Sequence, residues 1–141
     1  MITSYNQTTG LLNGGDNIPA RSLEQFHQFF VEAFNAGDID ALMMTFESGA
    51  SIEPEPGKLV EGKDAIREVL SGFLALKGKI SLETTKVVQT GDDIGLLHSQ
   101  WSLTGTAPDG SEVNLSGNST EVVRRQPNGT WLCVIDLPND V

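Results

Sequence analysis

The sequence has few of the features that define several large classes of protein. Its 141 residues include one cysteine, one tyrosine and nine lysines and arginines together, and no apolar run reaches membrane-spanning length. A single cysteine cannot form an internal disulfide, so the composition favours a reducing compartment. Nineteen acidic residues give a formal net charge of -10, which disfavours nucleic acid and anionic membranes as partners.

We expect no export signal in the first residues of the sequence. Residues 1–17 lack a cationic start and an apolar run long enough for a signal peptide, so we expect a cytoplasmic location. Residues 1–20 are rich in Thr, Asn, Gly and Gln, and they hold too few apolar side chains to offset the cost of ordering. We predict a flexible tail there and one domain over residues 21–141.

Three segments with apolar residues at helical spacing follow the tail. The first begins after Ser22 and ends before Gly37, the second begins after Asp38, and the third covers residues 63–76 and ends before Gly78. Each segment presents one apolar face, which predicts packing against a common core. The faces are Leu23, Phe26, Phe30, Ala33 and Phe34, then Ile39, Leu42, Met43 and Phe46, then Ile66, Val69, Leu70 and Phe73.

Strand patterns occupy most of the remaining chain. Residues 50–62 predict a short edge hairpin that turns at Pro56 and Gly57. After Lys79, alternation with period two predicts a four-stranded antiparallel meander over residues 80–90, 94–106, 113–126 and 130–137. Helices followed by a long sheet indicate an α+β domain.

Several motifs resemble the nuclear transport factor 2-like superfamily. They are FNAGDIDAL at residues 34–42, ASIEP at 50–54, EGKDAIRE at 61–68, WSLTG at 101–105 and NGTWLCVID at 128–136. The resemblance covers residues 22–138 and implies a cone-like fold with three N-terminal helices on a strongly curved, mostly antiparallel sheet, as in ketosteroid isomerase and SnoaL-like cyclases. Residues 124–127 and 131–138 are similar to the SgcJ/EcaC-type group, which has little assigned chemistry.

The resemblance also implies where catalytic groups would lie. Catalytic members use a tyrosine on the first helix, a carboxylate base on the edge hairpin and a neutral carboxylic acid on an inner strand. In this sequence those positions fall on Phe30, Pro54 and Glu121. Phe30 cannot donate a proton and Pro54 is not a base, although Glu53 and Glu55 flank it. The resemblance therefore does not carry ketosteroid isomerisation itself over to this chain.

Strand alternation predicts which side chains face the implied pocket. Glu121 and Asp136 would share it, so that one carboxyl group donates a proton while the other accepts it. The alternative reading pairs Glu121 with Arg124 or another nearby base at the sheet rim and leaves Asp136 to cap its strand. The other predicted pocket residues are Phe30, Glu53, Glu55, Phe73, Leu97, Ser99, Trp101, Val123 and Val134.

Neither histidine indicates a metal site. His27 lies beside the apolar face of the first helix, His98 has the parity of the outer sheet face, and neither has a partner at ligand spacing. The glycines form neither a dinucleotide fingerprint nor a phosphate loop. No metal and no cofactor is predicted.

Two functions remain open at this point. The first is a pocket protein that binds a small, largely apolar molecule or catalyses cofactor-free isomerisation, cyclisation or hydration on it. The second is a non-catalytic dimerisation or association module. Both predict a homodimer through the outer sheet face, since Ile94, Leu96 and Val122 would otherwise meet water, with His98 and Gln100 near the interface.

Overall fold

The structure is a computed structural model and describes residues 20–139. Residues 1–19 of the predicted tail lie outside the described residues. Ala20 is buried, and its carbonyl accepts a hydrogen bond from the Trp131 N–H at 2.8 Å. The packed region therefore already includes Ala20.

The elements are α1 (Leu23–Asn35), α2 (Ile39–Met43), β1 (Phe46–Glu55), β2 (Lys58–Glu61), α3 (Lys63–Leu74), β3 (Lys79–Thr90), β4 (Ile94–Thr106), β5 (Glu112–Arg125) and β6 (Trp131–Leu137).

The first two helices are joined with almost no loop, as the sequence predicts. Gly37 adopts a positive φ of 69°, which ends α1 at low steric cost. The Asp38 side chain then accepts a hydrogen bond from the Ala41 N–H at 3.0 Å and caps α2. The prediction that Phe46 belongs to this helix is wrong. Phe46 begins β1, where it pairs with Cys133 of β6.

The sheet has six strands in the order β2-β1-β6-β5-β4-β3. Strands β3 to β6 form the predicted antiparallel meander, and β1 joins it by parallel pairing with β6. The helices cover one face of this curved sheet, which confirms the predicted α+β class and cone-like arrangement. Side chains with essentially no exposure fill the space between the layers: Phe29, Ala33, Leu42, Phe46, Ile66, Leu97 and Val123.

A β-bulge in β6 changes which of its side chains face the helices. Cys133 lies opposite Val123 and Ile135 lies opposite Val122, so Val134 is the extra residue. The bulge interrupts the alternation, and Cys133 and Asp136 both face inward although they are three residues apart. No helix within residues 20–139 is both long enough and apolar enough to cross a membrane.

Candidate functional site

A cavity of about 240 Å³ lies between the helices and the inner face of the sheet. Its walls come from α1, α3, five strands and the segment after β6. Most of the wall is hydrocarbon, and a cavity of this kind suits an apolar organic molecule better than a polar one. The aromatic members are Phe26, Phe30, Phe34, Phe46, Phe73 and Trp101.

Two carboxyl groups face each other in this wall. Glu121 of β5 and Asp136 of β6 are directly opposite in the antiparallel ladder, with residue exposures of only 6% and 8%. Burial raises the pKa of Asp136 well above its ordinary value, and the charge of Glu121 and a hydrogen bond to it act in the same direction. The raised pKa favours the protonated form of Asp136, which can donate a hydrogen bond to the Glu121 carboxyl group.

His27 of α1 completes this group of side chains. Its Nε2 lies 2.5 Å from Glu121 Oε1, and its Nδ1 lies 2.7 Å from the Thr84 hydroxyl oxygen. With the proton on Nε2, the imidazole donates to Glu121 and accepts from Thr84. Asp136, Glu121 and His27 are called the acid cluster below.

Sequence reasoning gave His27 no role. The residue lies at the edge of the apolar face of α1, so its side chain reaches across to the inner strands rather than into water. The sequence signal for His27 was its position at the edge of this face, on a helix expected to cover a sheet that carries an inward-facing carboxylate. Helical spacing alone does not distinguish such a residue from a solvated one.

Five of the predicted site residues contact the cavity: Phe30, Phe73, Trp101, Glu121 and Asp136. Leu97, Ser99 and Val123 do point inward, but they lie in the packed core and not among the lining residues. The Ser99 hydroxyl is 2.5 Å from the Ser119 hydroxyl.

Three other predictions are wrong for geometric reasons. Val134 is the bulged residue of β6, and Cys133 lines the cavity in its place. Glu53 and Glu55 lie outside the wall, whereas Pro54 between them is part of it. The Glu53 carboxylate instead accepts a hydrogen bond from the Gly57 N–H at 3.0 Å, within the β1–β2 turn.

The alternative reading named Arg124 or another nearby base as the partner of Glu121 at the sheet rim. The nearby base is His27, and the pair lies buried in the cavity wall rather than at the rim. Arg124 donates to Glu47 of β1 at 2.8 Å on the protein surface, so it does not pair with Glu121. Asp136 is buried beside Glu121 and is not an exposed strand cap.

The more exposed part of the wall is fixed by contacts from the chain after β6. The Trp101 indole donates to the Pro138 carbonyl at 2.7 Å, and the Asn139 amide donates to the Pro54 carbonyl at 3.1 Å. Gly117 allows this arrangement, because a Cβ there would lie 3.1 Å from Trp101 Cζ2. These contacts join β4, β1 and the end of β6 around the cavity.

The thiol of Cys133 also lies in the wall. Burial raises the pKa of this thiol well above its ordinary value, and any negative charge on the neighbouring Asp136 and Glu121 acts in the same direction, so the group stays an unreactive thiol. Between residues 20 and 139, no group of three or more His, Cys, Asp or Glu side chains is arranged to hold a metal ion.

Between residues 20 and 139, three helices and a curved six-stranded sheet enclose a cavity with the acid cluster in its wall, and they form a cone-like α+β fold. A profile described as the SnoaL-like domain matches residues 26–132. The chain therefore belongs to the SnoaL-like domain family, within the nuclear transport factor 2-like superfamily. No curated protein matches the sequence.

Solved structures share this fold at low sequence identity. A ketosteroid isomerase-like protein from Erwinia carotovora atroseptica is 24% identical, covers 79% of this chain and 87% of its own, and superposes with a TM-score of 0.70. A Streptomyces avermitilis protein, provisionally named a dehydratase of the NTF2-like family, has 19% identity, coverages of 82% and 90%, and a TM-score of 0.65. A Xanthomonas campestris protein, provisionally named a calcium/calmodulin dependent protein kinase II association domain, has 16% identity, coverages of 84% and 85%, and a TM-score of 0.73. At these identities the similarity concerns the fold.

Proposed function

We propose that this protein binds a small, largely apolar organic molecule and catalyses a cofactor-free proton transfer on it, of the isomerase, cyclase or hydratase type. The observation that carries the proposal is the acid cluster, in which two buried carboxyl groups lie directly opposite each other beside His27 in the wall of an otherwise apolar cavity. Such a pair offers a proton donor and a proton acceptor without a cofactor. The names of the Erwinia and Streptomyces structures support the same class of chemistry.

The two carboxyl groups have different roles in this proposal. Asp136 donates its proton to a carbonyl or hydroxyl oxygen of the bound molecule, and the Glu121 carboxylate removes a proton from a neighbouring carbon. His27 acts as a positioning residue, because its Nε2 holds Glu121 Oε1 at 2.5 Å. A well-placed acid or base contributes about 10²- to 10⁴-fold to a rate.

Solvent deuterium exchange tests this proposal without knowledge of the physiological substrate. A panel of apolar ketones is first screened by thermal shift, since a ligand that binds only the folded state raises the melting temperature. Ligands that bind are then incubated with the protein in D₂O, and deuterium entry beside the carbonyl is followed by NMR. We expect wild type to accelerate exchange and Asp136→Asn and Glu121→Gln to lose at least about 10²-fold of that rate.

Glu55→Gln is the matched control, since it also removes one carboxylate but lies exposed and outside the cavity wall. It should exchange deuterium at the wild-type rate. Stabilisation without exchange would reject catalysis and leave a binding protein. A panel in which no compound binds or exchanges would reject the pocket proposal and favour the association module.

We also propose a homodimer through the outer sheet face. Val88, Leu96, Val122 and Ile135 are successive partners across β3, β4, β5 and β6, and all are half-buried or exposed. A continuous apolar row of this kind favours a covering partner. Sedimentation velocity at micromolar concentration tests this, and an Ile135→Lys variant that shifts dimer to monomer would support it. A wild-type protein that sediments only as a monomer would reject it.

Two finer assignments belong to the same proposal. Membership of the SgcJ/EcaC-type group rests on residues 124–127 and 131–138. A cytoplasmic location rests on the single cysteine, Cys133, which is buried as a free thiol and forms no disulfide.

A further inference from the structure

In the described part of the chain, Ser119 is the one buried polar side chain of the cavity wall outside the acid cluster. It has 3% exposure and lies on β5, directly opposite Ser99 of β4. The two hydroxyl oxygens are 2.5 Å apart, and among the described residues each hydroxyl has the other as its only hydrogen-bond partner. The pair therefore has two protons but only one hydrogen bond between its members.

The positions of the two serines determine which of them donates. Each hydroxyl has one proton to give, and a buried proton without an acceptor destabilises the structure. If Ser119 donated, the spare proton would be on Ser99, which is enclosed in the packed core and outside the cavity wall. If Ser99 donates, the spare proton is on Ser119, where a molecule in the cavity can accept it. The second arrangement is favoured, so Ser119 offers a hydrogen bond to the cavity.

Ser119 and the acid cluster lie a short distance apart along one strand. Ser119 and Glu121 are two residues apart on β5 and both line the cavity, which places their Cα atoms about 7 Å apart. Asp136 lies directly opposite Glu121. The cavity measures about 240 Å³, whereas an apolar cavity of about 150 Å³ takes one benzene ring. One ring with a short substituent at each end fits this volume, and four fused rings would exceed it.

We propose that Ser119 is a second ligand-binding residue of the cavity, and that the ligand is a single-ring molecule with an acceptor oxygen at each end. One oxygen accepts from the Ser119 hydroxyl. The other oxygen lies at Asp136 and Glu121, and for this second contact the inference rests on the proposed function. A molecule with only that one oxygen would leave the Ser119 proton without an acceptor, so the serine favours a ligand with two.

A matched pair of ketones tests the role of Ser119. The diketone para-diacetylbenzene has a carbonyl oxygen at each end of its ring, and para-isopropylacetophenone has nearly the same shape but only one such oxygen. Isothermal titration calorimetry gives the Kd of both for wild type and for Ser119→Ala. We expect Ser119→Ala to weaken binding of the diketone by at least about fivefold, because one of its oxygens is then buried without a donor. Binding of the monoketone should change by less than about twofold.

Two further variants separate binding from folding. The double variant Ser99→Ala/Ser119→Ala removes both members of the buried pair, so no hydroxyl is left unpaired in the core. It should fold and show the same selective loss of diketone binding. Ser102→Ala is the matched control, since the Ser102 hydroxyl lies 2.9 Å from that of Ser81 on the neighbouring strand, but this pair is exposed and outside the cavity wall. It should bind both ketones as wild type does.

Several outcomes would overturn the inference. Equal weakening of the two ketones in Ser119→Ala would show a purely structural role, and unchanged binding of both would show no role. A wild-type protein that binds larger ketones of the screening panel but not the diketone would reject the single-ring class. Deuterium entry beside the carbonyl tests the proposed function separately, through Asp136→Asn and Glu121→Gln. The failure of this inference and the failure of the proposed function are therefore distinguishable.

Discussion

The burial of Asp136 predicts a specific dependence of stability on pH. The carboxyl group has 8% residue exposure, and burial followed by the Glu121 charge raises its pKa well above the ordinary value. Well below about pH 4 the group is protonated in the folded and the unfolded chain alike. As pH rises further, the unfolded chain releases this proton first, so stability is lost until the pH passes the folded-state pKa.

The substitution Asp136→Asn removes this loss. Its amide can still donate to Glu121, so in acid its free energy of unfolding should lie within about 1 kcal/mol of wild type. As pH rises the variant no longer carries a group that resists ionisation, so we expect it to gain on wild type by up to about 1.4 kcal/mol for each pH unit between the unfolded-state and folded-state pKa values of Asp136. The difference between the two proteins should therefore grow as pH rises.

Urea unfolding followed by circular dichroism, from about pH 4 to about pH 8, measures both curves. Asp92→Asn is the control, because this aspartate is exposed in the β3–β4 turn and its curve should follow wild type. A variant of Asp136 whose stability stays parallel to wild type throughout this range would refute a protonated, buried acid.

Three further substitutions test the packing around the site by urea unfolding. In Gly78→Ala the new Cβ would lie 1.8 Å from the Thr104 carbonyl oxygen, a backbone atom, so we expect a loss of about 3 kcal/mol or more; a loss below about 1 kcal/mol would contradict that geometry. Gly117→Ala presses on the Trp101 ring and should cost about 1 kcal/mol with a change in indole fluorescence; an unchanged spectrum would argue against the contact. Arg124→Ala removes a partly exposed ion pair and should cost less than about 1 kcal/mol, whereas a larger loss would point to a buried role.

Much of the fold follows from local patterns in the sequence. Helical spacing and period-two alternation locate three helices and the four-stranded meander, because the two periods differ clearly over ten or more residues. The failure at Phe46 has a physical reason. This residue is buried at the start of β1 and would also be buried at the end of α2, so its apolar character cannot choose between them.

The candidate site was less predictable than the fold. Glu121 and Asp136 could be paired from strand parity, but the third member of the acid cluster comes from α1, 94 residues earlier than Glu121. A contact of this kind depends on how the helix is rotated over the sheet. Spacing within the helix places His27 only at the edge of the apolar face. Its contact with Glu121 depends on the carboxyl group that the sheet places opposite that edge.

Strand alternation fails most clearly where a bulge shifts its phase. In an unbroken β6, Cys133 and Asp136 would lie on opposite faces, and either the thiol or the acid would leave the cavity wall. The extra residue Val134 brings both inward. Thr85 is the extra residue in β3, where Thr84 pairs with Ser99 and the pairing resumes at Lys86. Bulges are fixed by pairing with the neighbouring strand rather than by the bulged residues alone, so a valine within an apolar run gives no local signal. Two such bulges lie beside the candidate site, one in β6 next to Asp136 and one in β3 next to Thr84, which contacts His27. Alternation therefore predicts the inward residues of these strands only up to the bulge. Beyond it, pairing with the neighbouring strand determines which side chains face inward.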